Sequence, residues 1–291
     1  MLISVLIPNF NHARFLQKRI DSVLAQDYEN FEVIILDDAS TDNSVEIIEA
    51  YRQHPRVSHV IYNSQNSGSA FKQWQRGLTV ASGQYVWIAE SDDWASHNFL
   101  STLSTALHKN INIGICFCGS LWMDDKGNGG NDLSIYHESF FREGTSEIRQ
   151  SLVRFNTIQN ASSAILKKDL AEKYIGKAVQ YKSCGDWRLY IDILSESNLL
   201  FVSDKLNFFR WYHNNTSNKA YKQGLWIREG LHILCSSKAS KLSYPEKELV
   251  SLKSYWNKKP SEYQGFIKWK LKVLVQAYWT LFIRKQSRRA S

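Results

Sequence analysis

Three carboxylates, Glu90, Asp92 and Asp93, follow directly on the apolar run Tyr85-Val86-Trp87-Ile88-Ala89, with only Ser91 between them. Anions gathered at the end of a buried strand repel one another and lose hydration, so something must offset them. A hard divalent cation such as Mg2+ or Mn2+ does so with one or two carboxylates, and takes its other ligands from water and a substrate diphosphate. It also carries the charge that builds on a departing diphosphate. Taken alone, Asp92 and Asp93 read first as capping residues for a helix starting near Ser96, and it is the companion motifs that reverse the preference. A second acidic cluster, Asp37-Asp38-Ala39-Ser40-Thr41-Asp42, and a polar one, Pro8-Asn9-Phe10-Asn11, each close another apolar run.

The elements that must position these clusters alternate along the first half of the chain. Leu2 to Ile7 and Phe31 to Leu36 are nearly continuous apolar runs, as in strands buried on both faces of a parallel sheet, and Phe15, Leu16, Ile20, Val23 and Leu24 fall between them at helical spacing. A helix around Val45 to Tyr51, a strand at Val57 to Tyr62, a helix over Ala70 to Val80 and the strand before Glu90 continue the series. A helix over His97 to Leu107 and a strand at Ile113 to Cys118 complete it. The alternation predicts an open, mostly parallel sheet with helices on both faces, and ligands in such sheets bind outside the carboxyl ends of the strands. All three clusters then open onto one rim. Further on, Met123 to Asp132 reads as a loop, a helix begins near Ser183, two strands follow at Asn198 to Ser203 and Leu206 to His213, and everything from Tyr221 is helical.

With 291 residues the chain can bury a full α/β core, as one large domain or one domain with an appendage. The four cysteines have neither zinc-ribbon nor redox spacing and read as reduced, buried thiols. No basic region precedes the apolar start, so a signal peptide is not expected. Charge is unevenly spread: from Lys219 onward 16 Lys and Arg face four Asp and Glu, while the rest of the chain holds 20 basic against 24 acidic residues. A dinucleotide oxidoreductase is excluded early, because PNFNHARF after the first strand contains no Gly-rich phosphate loop.

The ordered set P-N-F-N, D-D-A-S-T-D and E-S-D-D, within SVLIPNFNHARFLQKRIDSVLAQDYENFEVIILDDASTDNS and NSGSAFKQWQRGLTVASGQYVWIAESDDW, resembles the family 2 glycosyltransferases of the GT-A fold over roughly residues 1 to 215. The resemblance implies an α/β, GT-A-like, Rossmann-type sheet, an inverting metal-dependent transferase, and a nucleotide-diphosphate sugar donor with UDP favoured. It implies a saccharide or lipid-linked acceptor in bacterial surface polysaccharide synthesis. Pro8, Asn9 and Phe10 would line the base pocket and Asp38 would contact the base. Glu90, Asp92 and Asp93 would meet the donor, with Asp92 and His213 on the Mn2+ or Mg2+ ion. Asp186 in Ser183-Cys184-Gly185-Asp186-Trp187 would be the general base. Arg210 is a further candidate near the diphosphate, whereas Lys72 and Arg76 read as a solvated helix face. Three positions depart from the family pattern: Glu90 replaces the usual Asp, Gly185 stands where many relatives carry Glu, and Trp74-Gln75 stands for an Arg-Asn pair.

The expected organisation is a catalytic domain over 1–217, with a nucleotide-binding part about 1–120 and an acceptor-binding part about 121–217, then a basic helical region over 218–291. Within the latter, the longest uncharged run, Val273 to Ile283, is short of the ~20 residues a spanning helix needs. A helix mixing Trp, Phe and Leu with lysines either docks on an anionic membrane surface, where each basic residue contributes on the order of 1 kcal/mol, or packs its apolar side on the catalytic domain. The expected location is the cytoplasm, with peripheral contact at the inner face of the cell membrane. The alternative function is a non-catalytic module that binds membrane or nucleic acid through the tail, although no nucleic-acid-binding signature accompanies it.

Overall fold

The computed structural model describes residues 1–212 and 220–290, with side chains through residue 287. One sheet organises it. Strands β1 (Ile3–Asn9), β2 (Phe31–Asp37), β3 (Val57–Tyr62) and β4 (Tyr85–Ile88) run parallel in the order β3-β2-β1-β4. Every residue of β1 is buried, and all but Glu32 of β2, which is why both read as unbroken apolar runs rather than alternating ones. Helices α1 (Ala13–Leu24), α2 (Ser44–Tyr51) and α3 (Ala70–Leu78) make the crossovers.

Beyond β4 the sheet becomes mixed. The short β5 (Trp94–Ala95) lies at its far edge and α4 (Phe99–His108) leads to β6 (Ile113–Met123). A hairpin strand β7 (Gly129–Asp132) pairs with β6, so the expected loop is a turn followed by a strand. After β8 (Phe140–Glu143) and the short α5 (Gly144–Glu147), strand β9 (Ala164–Lys167) enters antiparallel between β4 and β6. Helices α6 (Lys168–Ala178) and α7 (Gly185–Leu194) precede β10 (Asn198–Arg210), parallel to β6. The polar pair Asp204-Lys205 divides this stretch into two strands on the sequence pattern. In the structure it is a register irregularity inside one strand.

Two apolar cores flank the sheet. One, behind α1 and α4, includes Ile7, Leu16, Ile35, Trp87 and Phe99. The other runs from Leu6, Leu36 and Trp74 through Trp187 into the C-terminal helices α8 (Leu225–Ser236), α9 (Glu246–Lys258) and α10 (Gly265–Ala290), where Leu231, Trp256, Val275 and Phe282 are buried. The basic region therefore shares a continuous core with α7. Close approach is built in: a Cβ on Gly230 of α8 would stand 2.7 Å from the Trp187 ring and 2.9 Å from that of Trp256. Cys116, Cys118, Cys184 and Cys235 are all free and buried, and burial pushes their thiols above the ordinary range. Among the described residues no helix is long and apolar enough to cross a membrane.

Candidate active site

The carboxyl ends of β1, β2 and β4 open into one cleft of about 470 Å³. Pro8, Asn9, Phe10, Asp38, Glu90, Asp92, Asp93 and Asp186 all line it, so Asp186 and the acids after β4 face the same space. His213 lies outside the described residues.

The β1 and β2 ends lock to each other. Asn9 Nδ2 donates to Asp37 Oδ1 at 2.8 Å, the Asn11 N–H donates to Ser40 Oγ at 2.9 Å, and the Thr41 N–H donates to Asn11 Oδ1 at 2.7 Å. Asp42 reaches across to accept the Ala13 N–H at 2.9 Å, capping α1 from a different loop. Asn11 and Ala39 are held at φ 54° and 60°, a left-handed backbone that non-glycine residues rarely adopt. Asp38, buried, accepts from Asn63 Nδ2, the Ser67 N–H and Gln73 Nε2 on Oδ1 but, among the described residues, only from Ser67 Oγ, at 2.8 Å, on Oδ2. The side chain of Asn9 is committed inward, leaving main chain and the exposed Phe10 ring to face the cleft.

The acids after β4 are offset by the protein itself. Arg19, fully buried on α1, donates Nε to the Glu90 carbonyl at 2.8 Å and brings Nη2 to 3.9 Å from Asp93 Oδ2. Burial lowers its pKa to about 10, so it stays charged at neutral pH. Asp93 lines the cleft but is only 1% exposed, with both oxygens taken by protein donors, so it supports the acidic loop where the resemblance implied a contact with the donor. Its Oδ1 accepts the Arg210 N–H at 2.9 Å, and its Oδ2 accepts Asn160 Nδ2 at 2.9 Å and Ser162 Oγ at 2.7 Å. Burial and then the Asp92 charge raise its pKa. The same two causes push Glu90 up to about 8, and its Oε1 accepts the Trp74 indole N–H at 2.8 Å. Trp74, one of the departures from the family pattern, thus holds the head of the acidic motif.

Asp92 and Glu90 both face the cleft with one carboxylate oxygen unbonded among the described residues. Asp92 Oδ2 accepts the Tyr212 hydroxyl at 3.1 Å, and its Oδ1 accepts nothing among the described residues. Tyr212 in turn lies 3.1 Å from His12 Nε2, and His12 Nδ1 lies 2.8 Å from Ser91 Oγ. One tautomer satisfies every group: Ser91 donates to Nδ1, Nε2–H donates to Tyr212, and Tyr212 donates to Asp92. Neither His12 nor Tyr212 was singled out by sequence spacing, because the two are 200 residues apart and only the fold brings them together.

A free oxygen on a half-buried carboxylate, facing a polar cleft, suits a hard divalent cation. Among the described residues no three His, Cys, Asp or Glu side chains converge on one point, so such an ion would draw its remaining ligands from elsewhere.

Asp186 stands at the start of α7 and lines the same cleft. Asn156 Nδ2 donates to its Oδ2 at 2.9 Å, and burial pushes its carboxyl up to about 6. Its neighbour Gly185 has no room for a side chain, since a Cβ would meet both the Ala178 carbonyl oxygen and Phe71 Cδ2 at 2.6 Å. A carboxylate from far along the chain serves this turn instead. Glu229 on α8 accepts the N–H groups of Lys182, Ser183 and Cys184 at 3.0, 3.0 and 2.9 Å. Lys72 and Arg76 do not line the cleft and bond locally to the Ser67 carbonyl and to Asn63, as a solvated face would.

The profile of Glycosyl transferase family 2 matches residues 4–174. Glycosyltransferase GlyG of Streptococcus pneumoniae serotype 4 is 38% identical over 102 residues, which cover 35% of this chain and 34% of GlyG. TuaG of Bacillus subtilis, provisionally named as a glycosyltransferase of teichuronic acid biosynthesis, is 37% identical over 92 residues, covering 32% of this chain and 36% of TuaG. The matched stretch thus spans about a third of these relatives' length. In overall fold the chain is similar to Staphylococcus aureus TarS 1-349 in complex with UDP-GlcNAc, with a TM-score of 0.69 at 18% identity over 98% of this chain and 81% of that one. It is also similar to the mannosyltransferase PcManGT of Pyrobaculum calidifontis in complex with GDP-Man and Mn2+, with a TM-score of 0.61 at 14% identity over 95% and 73%.

Proposed function

Because the chain belongs to glycosyl transferase family 2, and is therefore a glycosyltransferase, we propose that it is an inverting, metal-dependent enzyme moving a sugar from a nucleotide diphosphate, UDP favoured, to a saccharide or lipid-linked acceptor of a bacterial surface polysaccharide. What supports the reading most is the common cleft shared by Asp38, Asp92 and Asp186. In this reading the main chain of Pro8 to Phe10 and the spare lone pair of Asp38 Oδ2 receive the nucleotide base. Glu90 lies toward the ribose, and Asp92 with His213 holds Mn2+ or Mg2+. The bound ion supplies charge neutralisation for the leaving diphosphate. Asp186 takes the proton from the acceptor hydroxyl as its oxygen attacks the anomeric carbon, and the bond to the diphosphate breaks in the same displacement. Asp93 and Arg19 hold the acidic loop from behind rather than touching the donor.

Arg14, Lys18, Lys126 and Arg210 line a second opening of about 430 Å³, where Asp125 is the one carboxylate among the described residues. That surplus of positive charge suits a phosphate-bearing or other anionic acceptor. The catalytic unit is assigned to 1–217, with nucleotide and acceptor parts meeting near residue 120, and the basic region to 218–291.

The tail supports a membrane role as well. On α10 the buried Leu271, Val275 and Phe282 form one stripe, while Phe266, Trp269 and Val273 are exposed. At 100° per residue the exposed set falls on the opposite side of the helix, next to Lys270 and Lys272. One face packs and the other is free for the anionic inner surface of the cell membrane, in a cytoplasmic enzyme. An inert scaffold behind a basic tail finds no support, since family membership makes the chain an enzyme.

A panel of nucleotide sugars with Mn2+ tests the reading, with donor hydrolysis and transfer as readouts. UDP-sugar turnover that is lost on chelation and in Asp92→Asn is the expected outcome. Full activity of Asp92→Asn in the presence of chelator would remove the metal from the proposal.

A further inference from the structure

We propose that Glu229, supplied by α8 from beyond the stretch that the family profile matches, is a positioning residue for Asp186: its carboxylate fixes the turn that presents the base and adds a second negative charge behind it. The proposal rests on Asp186 acting as the base.

Three successive backbone N–H groups, those of Lys182, Ser183 and Cys184, converge on this carboxylate, which is only 8% exposed. They belong to the turn that leads into α7, only the last of them, on Cys184, being a helix-end donor, and Cys184 makes no side-chain cap hydrogen bond of its own. An ordinary cap comes from the residue next to the helix. This one arrives across 45 residues, through the close contact of α8 and α7 that Gly230 permits. Gly185 cannot carry a carboxylate without striking Ala178 and Phe71, so Glu229 brings the negative charge to this turn from another element.

The groups facing Asp186 are few. Asn156 and the N–H groups of Asp186 and Trp187 donate to it, Cys184 and Tyr190 are close to it, Lys182 and Glu90 line the same cleft, and Glu229 holds the turn before it. Burial is the main cause of the raised Asp186 pKa, the N–H groups of Trp187 and Asp186 and the Asn156 amide oppose it, and the Glu229 charge adds a smaller push in the direction of burial. Removing that charge lowers the pKa of the base, and disturbing the turn misplaces it.

The test measures transfer and donor hydrolysis from pH 5 to 9, with melting curves, for wild type, Glu229→Gln, Glu229→Asp and Asp186→Asn. Glu229→Gln should keep the donor KM within about twofold, lower kcat on the order of 10- to 100-fold and move the acid limb of the kcat profile to lower pH. Glu229→Asp keeps the charge but shortens the reach, so kcat should fall with the acid limb unmoved. If Glu229→Gln only lowers the melting temperature, with kcat and its pH profile unchanged, Glu229 is a structural cap and the proposal is wrong. If Asp186→Asn retains the wild-type rate, the base assignment fails and this proposal with it. If Glu229→Gln does not fold, Glu229→Asp decides: kcat equal to wild type overturns the positioning role.

Discussion

Asp186 trades stability for chemistry. A carboxyl raised to about 6 by burial is ionised at neutral pH only against the preference of its surroundings. Because its pKa is higher in the folded than in the unfolded chain, the group costs stability above pH 6, and the cost vanishes below the ordinary carboxylate range near pH 4. Asp186→Asn should therefore lower transfer by about 10²- to 10⁴-fold. It should also raise stability at pH 8 on the order of 1–3 kcal/mol, with no gain at pH 4. Paired activity assays and urea melts at the two pH values check both halves, and a mutant that is dead but no more stable at pH 8 contradicts the stated cost. Wild-type activity should fall as pH drops through about 6. The position of Asp186 on the cleft was legible from its motif. Its partner Asn156 was not, because a hydrogen bond between residues 30 apart leaves no trace in spacing.

At the scale of elements, strand ends were easy to read and their supports were not. The apolar runs of β1, β2 and β4 are buried on both faces, so the polar clusters that end them stand out in the sequence. Arg19 instead occupies a helix position that spacing marks as solvent-facing or as apolar core, yet it is fully buried beneath the acidic loop. Its Nη1 and Nη2 have no hydrogen-bond partner among the described residues, so beyond the Nε bond to the Glu90 carbonyl its worth lies in charge. Arg19→Met leaves Asp93 buried without its nearest cation and should cost on the order of 3–5 kcal/mol. Chemical denaturation measures this, and a loss under about 0.5 kcal/mol would mean that the loop neutralises itself by protonation alone. The single long β10 reads as two strands in the sequence for a related reason: the charged pair Asp204-Lys205 looks like a break, whereas the sheet absorbs it as an irregularity.

For the molecule as a whole, charge and exposed aromatics converge on α10. Phe266 and Trp269, 72% and 60% exposed, stack on each other with ring centroids 5.6 Å apart. Replacing both by Ser should release the protein from vesicles containing anionic lipid while leaving donor hydrolysis in solution unchanged, and cosedimentation measures it. Equal binding of wild type and variant would confine α10 to its packing role. The sequence left open whether this helix packs or docks because its apolar residues occupy two stripes, and a residue list does not say which stripe has a partner. The shared core of α7 and α8 was hidden for the same reason.

The four native thiols, all enclosed and held protonated, give the surface an unplanned convenience. A single cysteine introduced at Phe266 or Phe10 would be the one sulfur within reach of a maleimide dye, so a fluorescent reporter of lipid contact or of donor entry can be attached without first stripping the chain of its own cysteines.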